Sequence, residues 1–260
     1  MEIVFLGTGG GRFNLISQLR RTGGFIIRGS SQIHVDPGPG ALAACHAFSI
    51  DPEKTDAVVV THNHIDHLND AELMLEAINC FPDRRRGALV ASKSILVGDE
   101  YGEKGISTYF IKKLQSTHTA VQGKPIMLFP RATLIPTPVR HEDKTGFGFV
   151  LEMDGARIGY TSDTEYFPSL ASHFLHCDLL VANNLKADDD GVPGHLYSST
   201  ASLLLSECAP KLCVLSHMGQ SLIKSGPGRE AKKIEKATGV RTIAAEDGMR
   251  ILLPSLKVEK

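Results

Sequence analysis

Short apolar runs, each bounded by glycine, serine, proline or aspartate, dominate the first 60 residues of the chain. Four of these runs predict β-strands, at Ile3–Leu6, Phe25–Arg28, Ile33–Asp36 and Ala57–Val60. Apolar runs in the second half predict further strands at Phe147–Met153, Ala156–Thr161, Leu179–Ala182 and Leu212–Ser216. Helical spacing predicts helices at Asp70–Asn79, Ser198–Cys208 and Arg229–Thr238. Antiparallel strands that come first and strand–helix alternation that follows are typical of the α+β class, with helices covering the sheets.

The organisation of the chain predicts one domain over residues 1–260. No internal repeat, low-complexity segment or linker rich in proline, glycine or serine divides it. A chain of this length buries about three quarters of its unfolded surface, so its core needs no disulfide or metal for stability. Residues 87–135 have the least regular pattern, and we expect substrate specificity to lie there and in the loop after His217.

The charge balance excludes one broad class of function. Lysine and arginine total 28 against 29 aspartates and glutamates, which is not the basic excess of a sequence-independent nucleic-acid binder. A small nucleotide or a short RNA end remains compatible with this balance. The charged runs Arg84–Arg86 and Asp188–Asp190 are expected to be solvated loops.

Cysteine usage and apolar run lengths predict the compartment. The five cysteines are odd in number and form no C-x-x-C pair, as expected of a reduced protein. No run of 18 apolar residues is present, so no segment is expected to cross a membrane. Together these features predict a cytoplasmic protein.

The candidate chemistry is concentrated where one apolar strand ends. After Ala57–Val60 the chain continues as Thr61–His67 (THNHIDH), which places four potential metal ligands within six positions. Burying several unpaired polar rings together is costly, so a metal centre is favoured over a purely structural role. Imidazole and carboxylate ligands suit zinc, with manganese or iron as alternatives.

The spacing within this run favours two metal ions over one. In an extended segment His62 and His64 point the same way. If the chain then turns into a helix, Asp66 and His67 are displaced around its axis and can face a second ion.

Further ligands are expected at the ends of other strands. His141 follows the run Leu134–Val139, Asp163 follows the strand that ends at Thr161, and His217 follows Leu212–Ser216. Ligands at several strand ends predict a site on the rim of a sheet.

The run Thr61–His67 is the T-H-x-H-x-D-H motif of the metallo-β-lactamase superfamily, which the chain resembles over nearly its whole length. Val35–Gly40 resembles the first motif of that family, whose aspartate (here Asp36) orients the metal ligands. The resemblance implies an αββα sandwich of two mixed sheets flanked by helices. It also implies two divalent ions, one held by His62, His64 and His141, the other by Asp66, His67 and His217, with Asp163 and a hydroxide bridging.

Segments between the motifs resemble the phosphodiesterase branch of the family, which contains RNase Z and the cyclic ribose-phosphate phosphodiesterases. They are Phe5–Gly11, Thr145–Val150 and Gly194–Thr200, in which His195 would be the extra histidine near the scissile phosphate. Only 22 positions separate His141 from Asp163, which leaves no room for the substrate-gripping arm of RNase Z. Residues 181–184 (VANN) also lack its acidic residue, so a small phosphodiester is favoured over tRNA.

The resulting hypothesis is a dinuclear metal-dependent hydrolase in which a metal-bridging hydroxide attacks a small cyclic or nucleotide-like phosphodiester. Asp66 and Asp163 would also orient the nucleophile, and His195 would act as general acid, with capping or packing as its alternative role.

Hydrolysis of a thioester or lactone by the same two metals is the alternative activity. A non-catalytic metal-binding scaffold is the alternative class. The expected partner is a small-molecule or short nucleotide substrate. A homo-oligomer is compatible with the sequence, although no feature demonstrates one.

The glycine-rich segment Gly7–Gly11 raises a separate question. Arg12 stands where the third glycine of a G-x-G-x-x-G motif belongs, and no helix is predicted after it. A tight passage near the metals is therefore favoured over dinucleotide binding. Arg20, Arg21 and Lys144 are candidates for holding a substrate phosphate, with solvated surface positions as the alternative.

Overall fold

The computed structural model describes residues 1–80, 85–187 and 192–259. Arg84 and Asp188–Asp190, from the two charged runs, lie outside these described residues. The strands are β1 Glu2–Phe5, β2 Phe25–Arg28, β3 Gln32–Val35, β4 Ala57–Val60, β5 Ala88–Ala91, β6 Ser116–Thr119, β7 Ile126–Phe129, β8 Ala132–Pro138, β9 Phe147–Met153, β10 Ala156–Tyr160, β11 Leu179–Lys186, β12 Leu196–Tyr197, β13 Leu212–Ser216, β14 Thr242–Ala244, β15 Arg250–Leu252 and β16 Lys257–Glu259. The helices are α1 Gly11–Ser17, α2 Ala41–Ala47, α3 Ile65–Leu68, α4 Ala71–Ile78, α5 Lys93–Leu96, α6 Thr108–Lys113, α7 Ser198–Cys208, α8 Gln220–Ser225 and α9 Pro227–Thr238, with 3₁₀ turns at Pro52–Lys54 and Ala171–Phe174.

Two mixed sheets face each other across the main core. The first has the order β16-β15-β1-β2-β3-β4-β5-β6, and the second has the order β14-β13-β11-β10-β9-β8-β7 with β12 beside β11. Apolar side chains from both sheets fill the space between them. Helices α2 and α4 cover the outer face of the first sheet, and α7 and α9 cover that of the second. The predicted α+β class and αββα sandwich are confirmed.

Strand β4 illustrates how the sequence pattern places these layers. Ala57 and Val59 enter the core between the sheets, whereas Val58 and Val60 face the helices. Because both faces of β4 are buried and both its neighbours, β3 and β5, are parallel to it, an uninterrupted apolar run suits it. The polar residues can begin only where the strand ends, at Thr61.

The carboxyl ends of several strands lie at one edge of the sandwich. In the second sheet β8 and β10 run the same way, since β9 is antiparallel to both. Strands β11 and β13 are parallel to β10 or to each other, so they share this direction. The loops after β4, β8, β10 and β13 carry the candidate ligands, and they lie together at this edge.

Three elements differ from the sequence-based expectations. Strands β5 and β6 extend the first sheet in parallel, so the expectation that antiparallel strands come first holds only for β1 to β3. Strand β6 reads Ser-Thr-His-Thr at the sheet edge and lacks the apolar alternation that identifies a strand. Helix α1 does follow the glycine-rich segment, but its apolar residues Phe13 and Ile16 are exposed, so no buried stripe marks it.

A single domain over the whole chain stays a prediction.

The structure bears on two expectations about the compartment. All five cysteines, which lie in the described part of the chain, are free, and four of them are buried. In that same part no helix is both long and apolar enough to cross a bilayer. The cytoplasmic location stays a prediction.

Candidate metal centre

Three histidines converge from the loops after β4 and β8. His62 Nε2 and His141 Nε2 each lie 3.1 Å from His64 Nδ1. Nitrogen atoms that share one zinc ion at about 2.0–2.1 Å are about 3.3 Å apart in tetrahedral geometry. The spacing of these three nitrogens therefore fits a shared cation. We call this set, His62, His64 and His141, the first group.

A second group consists of Asp66, His67 and His217. His67 Nε2 lies 3.0 Å from His217 Nε2, which is 3.3 Å from Asp66 Oδ2. Helix α3 begins at Ile65, so the helical turn moves Asp66 and His67 away from the direction of the extended His-x-His segment. The donor set and its spacing again fit one divalent cation.

Asp163 lies between the two groups. Its Oδ2 is 3.9 Å from His62 Nε2, 3.5 Å from His67 Nε2 and 3.3 Å from His217 Nε2. The side chain is only 3% exposed. One buried carboxylate oxygen thus reaches nitrogens of both groups, which is the geometry that a bridging ligand needs. His195 Nδ1 also faces this oxygen, at 3.7 Å.

The carboxylates and histidines of the cluster shift each other's pKa values in opposite directions. Burial lowers the pKa of His67, but the surrounding carboxylates, Asp163 first, outweigh burial and raise it well above its ordinary value. Burial raises the pKa of Asp163, yet His217 and His67 outweigh burial and hold it well below its ordinary value. Burial and the neighbouring His67 lower the pKa of His62. Metal binding here would replace protons on imidazole, as is usual for histidine sites.

Hydrogen bonds on the outer side of two rings set their orientation. His67 Nδ1 donates to Asp36 Oδ2 at 2.9 Å, and His141 Nδ1 donates to the carbonyl oxygen of Gly194 at 2.9 Å. Because each Nδ1 donates outward, each Nε2 faces the centre and can offer its lone pair to a metal ion once any proton on it is lost.

Asp36, which follows β3, accepts hydrogen bonds from residues of both sheets at this edge. Its carboxylate accepts the Thr61 N–H at 2.7 Å, and the hydroxyls of Thr61 and Tyr160 at 2.8 Å, in addition to His67. Its φ of 50° lies in the left-handed region, which aspartate tolerates better than most residues. This position agrees with the role that the resemblance implies for Asp36.

Tyr160 and Asn183 are candidate functional residues that the sequence analysis missed. Asn183 Nδ2 donates to Asp163 Oδ1 at 2.7 Å and to the Tyr160 hydroxyl at 3.0 Å. Since Tyr160 in turn donates to Asp36, a hydrogen-bonded chain joins the two buried carboxylates. The sequence analysis noted the segment of Asn183 only for its missing acidic residue. Asn183 directly follows the predicted strand Leu179–Ala182, as the candidate ligands follow theirs, and this position at a strand end is the sequence signal that could have found it.

The glycine-rich segment passes directly beside the cluster. The Gly11 N–H donates to Asp66 Oδ2 at 3.0 Å. A Cβ atom on Gly10 would stand 2.2 Å from the ring of His217. The glycine-rich segment is a tight passage beside the candidate ligands, and glycine is required at position 10 by the close approach of the His217 ring.

We expect Gly10→Ala to displace the His217 ring, because a carbon atom at 2.2 Å is far inside van der Waals contact. Metal affinity should fall by about tenfold to a hundredfold, the usual cost of disturbing the support of a ligand. Zinc content after dialysis, measured by mass spectrometry, is the test. Gly228→Ala is the matched control, since its Cβ would meet nothing within 4 Å. Full zinc retention by Gly10→Ala would contradict the prediction.

The three basic residues that are candidates for holding a substrate phosphate have different contacts. Arg20 Nη1 donates to Thr8 Oγ1 at 3.0 Å, and the Arg21 guanidinium lies over the Phe48 ring at 5.7 Å. Lys144 Nζ instead donates to the carbonyl oxygen of His141 at 3.2 Å. Of these three contacts, that of Lys144 is the one with a residue of the cluster, His141.

Comparison with known families identifies the chain. Residues 31–218 match the family model of the beta-lactamase superfamily domain. The chain belongs to this superfamily. An uncharacterised protein of Methanocaldococcus jannaschii is 36% identical to it, over 97% of this chain and 95% of that protein.

Solved structures show the same fold within the superfamily. The metallo-β-lactamase fold protein YhfI of Bacillus subtilis is 26% identical over 90% of this chain and 93% of its own length. Its crystal structure superposes with a TM-score of 0.76 at 19% identity, covering 96% and 97% of the two chains. A diphosphatase from the PhnP family superposes with a TM-score of 0.71 at 20% identity over 100% of both chains. With its cluster of histidines and aspartates, the chain is a metal-dependent hydrolase of the metallo-β-lactamase superfamily.

Proposed function

We propose that this hydrolase is a phosphodiesterase with a dinuclear centre, acting on a small cyclic or nucleotide-like phosphodiester. The observation that carries the proposal is the position of Asp163, whose Oδ2 lies 3.9 Å from His62 Nε2 and 3.3 Å from His217 Nε2. One carboxylate between two groups of three ligands is an arrangement for two ions. Zinc is the proposed metal, with manganese and iron as alternatives.

Two bound divalent ions would lower the pKa of water towards neutrality and neutralise negative charge on the phosphoryl oxygens. The chain itself supplies orientation. Asp163 is held through Oδ1 by Asn183, and Asp66 is held through Oδ2 by the Gly11 N–H. Carboxylates fixed in this way can align an attacking water and accept its proton without first reorganising.

His195 is the proposed general acid. Its ring packs edge-on against His141 at 4.9 Å and lies parallel to His217 at 6.1 Å, and 15% of its side chain is exposed. Burial lowers the pKa of His195 to about 4, although Asp163 opposes this effect. The negative charge of a bound phosphodiester would raise that pKa and favour proton donation to the leaving oxygen.

Two features favour a small phosphodiester as the substrate. The residues between His141 and Asp163 form the β9–β10 hairpin, paired from Phe149 opposite Tyr160 to Met153 opposite Ala156, so no RNA-gripping arm is inserted there. Lys144 adds a cation beside the first group, which suits an anionic phosphate better than a neutral thioester. Structural similarity to a diphosphatase from the PhnP family supports hydrolysis at phosphorus.

The test is substrate preference on one preparation of known metal content. We expect about two ions per chain, turnover of bis(p-nitrophenyl) phosphate and of a nucleoside 2′,3′-cyclic phosphate, and no turnover of a thioester or a lactone. Two ions with turnover of the thioester or lactone alone would overturn the substrate class but leave the centre in place. Retained metal without turnover of any ester would instead favour a binding scaffold.

We expect His195→Ala to lower turnover of the cyclic nucleotide by about a hundredfold, the usual contribution of a general acid. Turnover of bis(p-nitrophenyl) phosphate should fall much less, because p-nitrophenolate leaves without being protonated. His46→Ala, which removes an exposed histidine of α2, is the control and should change neither rate. Equal losses on both substrates would indicate that His195 acts as a metal ligand or as a support for the ligands.

A further inference from the structure

We propose that Asp143 is the positioning residue of the first group, fixing the backbone that carries His62 and His64 against the loop that carries His141. The proposal rests on the function proposed above, in which these three histidines hold one of the two metal ions. Asp143 would contact neither substrate nor metal and would act through the geometry of the ligands.

The Asp143 carboxylate joins its own loop to the loop after β4 and to helix α5. Its Oδ2 accepts the Asn63 N–H at 3.0 Å and the Ser94 hydroxyl at 2.5 Å. Its Oδ1 accepts the N–H and the hydroxyl of Thr145, both at 2.8 Å. Asn63 follows β4, Ser94 follows β5 and Asp143 follows β8, so this one carboxylate connects the two sheets at the metal edge.

The contact with Asn63 gives Asp143 direct control over the His-x-His segment. Asn63 is the residue between His62 and His64, so its peptide N–H lies in the backbone that sets both side-chain directions. A bond to an ionised carboxylate is about twice as strong as one between neutral groups. The backbone at Asn63 is therefore held firmly while the two rings project from it.

His64 depends on its backbone more than His67 and His141 do. The outer nitrogens of His67 and His141 bond to the buried Asp36 and to the Gly194 carbonyl. The outer nitrogen of His64 instead lies 3.6 Å from Glu142 Oε2, on a side chain that is 86% exposed. A partner in solvent restrains a ring weakly, so the backbone bond to Asp143 becomes the main restraint on His64.

A further hydrogen bond and close packing restrain the backbone around Asp143. The Ser94 N–H donates to Thr145 Oγ1 at 3.0 Å, which closes a ring of hydrogen bonds with the carboxylate. A Cβ on Gly146 would stand 3.2 Å from His62 Cβ and 3.1 Å from the Asp143 carbonyl oxygen, so the two loops pack closely. Preorganised ligands bind a metal without the entropic cost of ordering a loop.

The experiment compares zinc affinities at the two groups. Zinc titrations against a competing chelator are made on the full-length wild type, Asp143→Asn and Asp143→Ala. The control is Asp178→Ala, which removes a carboxylate that accepts the Arg157 N–H at 2.8 Å and binds Lys211 at 2.7 Å, away from the cluster. Thermal unfolding of the metal-free proteins and the visible spectra of the cobalt-substituted proteins are recorded in parallel.

We expect Asp143→Ala to weaken one of two zinc sites by about tenfold to a hundredfold and to leave the other unchanged. Asp143→Asn keeps the shape and one acceptor oxygen, which can serve either Asn63 and Ser94 or Thr145 but not both sides, so the same site should weaken by a smaller factor. The cobalt spectrum should change in both variants, whereas Asp178→Ala should lower only the unfolding temperature.

Two results would overturn the inference, and they differ from each other. Wild-type affinities and an unchanged cobalt spectrum in both Asp143 variants would show a purely structural role, with the dinuclear centre intact. If His64→Ala bound as many zinc ions per chain as the wild type, the first group would be refuted as a metal site, and the role of Asp143 with it.

Discussion

Replacing Asp163 by alanine is expected to lower phosphodiester turnover by about a thousandfold or more, which corresponds to about 4 kcal/mol of transition-state stabilisation. The carboxylate lies between the two candidate groups, with its Oδ2 3.5 Å from His67 Nε2 and 3.3 Å from His217 Nε2. Without it, neither ion would have its shared ligand, and the histidines would lose their central counter-charge. Metal content and kcat/KM for a nucleoside 2′,3′-cyclic phosphate measure both effects.

Two further variants test the charge of Asp163 and the hydrogen bond that orients it. Asp163→Asn keeps the size of the side chain and removes its charge, so its turnover should fall nearly as far as that of the alanine variant. Asn183→Ala removes the donor to Asp163 Oδ1 and leaves the carboxylate in place, so a loss of about tenfold to a hundredfold is expected. Two ions per chain and near wild-type turnover in Asp163→Ala would refute the bridging assignment.

The second large effect concerns stability. Asp36→Ala is expected to lower the free energy of unfolding of the metal-free protein by about 3–5 kcal/mol, the usual result of removing one member of a buried ionic pair. Four donors lose their acceptor at once: two on Thr61, one on Tyr160 and one on His67. Alanine also tolerates the left-handed backbone at this position, with its φ of 50°, less well than aspartate does. Urea unfolding followed by circular dichroism measures the change.

Asp36→Asn is the matched comparison for this prediction. It keeps the volume of the side chain, the tolerance for a positive φ and one acceptor oxygen, so a clearly smaller loss is expected. An alanine variant that unfolds within about 1 kcal/mol of the wild type, the net worth of an ordinary hydrogen bond, would mean that these donors find other partners. In that case the buried network around Asp36 would not be a source of stability.

The hydrogen-bonded chain from Asp163 to Asp36 gives the cluster a common support. Asn183 has two N–H groups, and it uses one for Asp163 and one for the Tyr160 hydroxyl. Tyr160 then uses its only O–H on Asp36. Because each donor has a single assignment, the carboxylate between the groups and the one behind His67 cannot reorient independently. Fully satisfied buried networks of this kind favour one arrangement over its alternatives.

The sequence by itself determined the layers of the fold and the local part of the cluster. Alternation along runs such as Ala57–Val60 decides which side chains face the other sheet and which face a helix, since the side-chain period of a strand is two residues. The run Thr61–His67 contains four candidate ligands within one strand end and one helical turn, so their relative directions follow from local backbone geometry. Elements without a local pattern, such as polar β6 and the exposed face of α1, could not be predicted in this way.

The family resemblance implied that His141 and His217 join the residues of Thr61–His67, but only the tertiary structure decided which atoms of these distant side chains meet. His141 lies 77 positions from His64, and His217 lies 150 positions from His67, yet their ring nitrogens are 3.1 Å and 3.0 Å apart. The contact between Asn63 and Asp143 likewise spans 80 positions. Such distances depend on strand order, register and the packing of the two sheets, which arise from the sum of many weak contacts over the whole chain. No short segment contains that information, and so the contacts that make Asn183, Tyr160 and Asp143 supporting residues exist only once the two sheets are packed together.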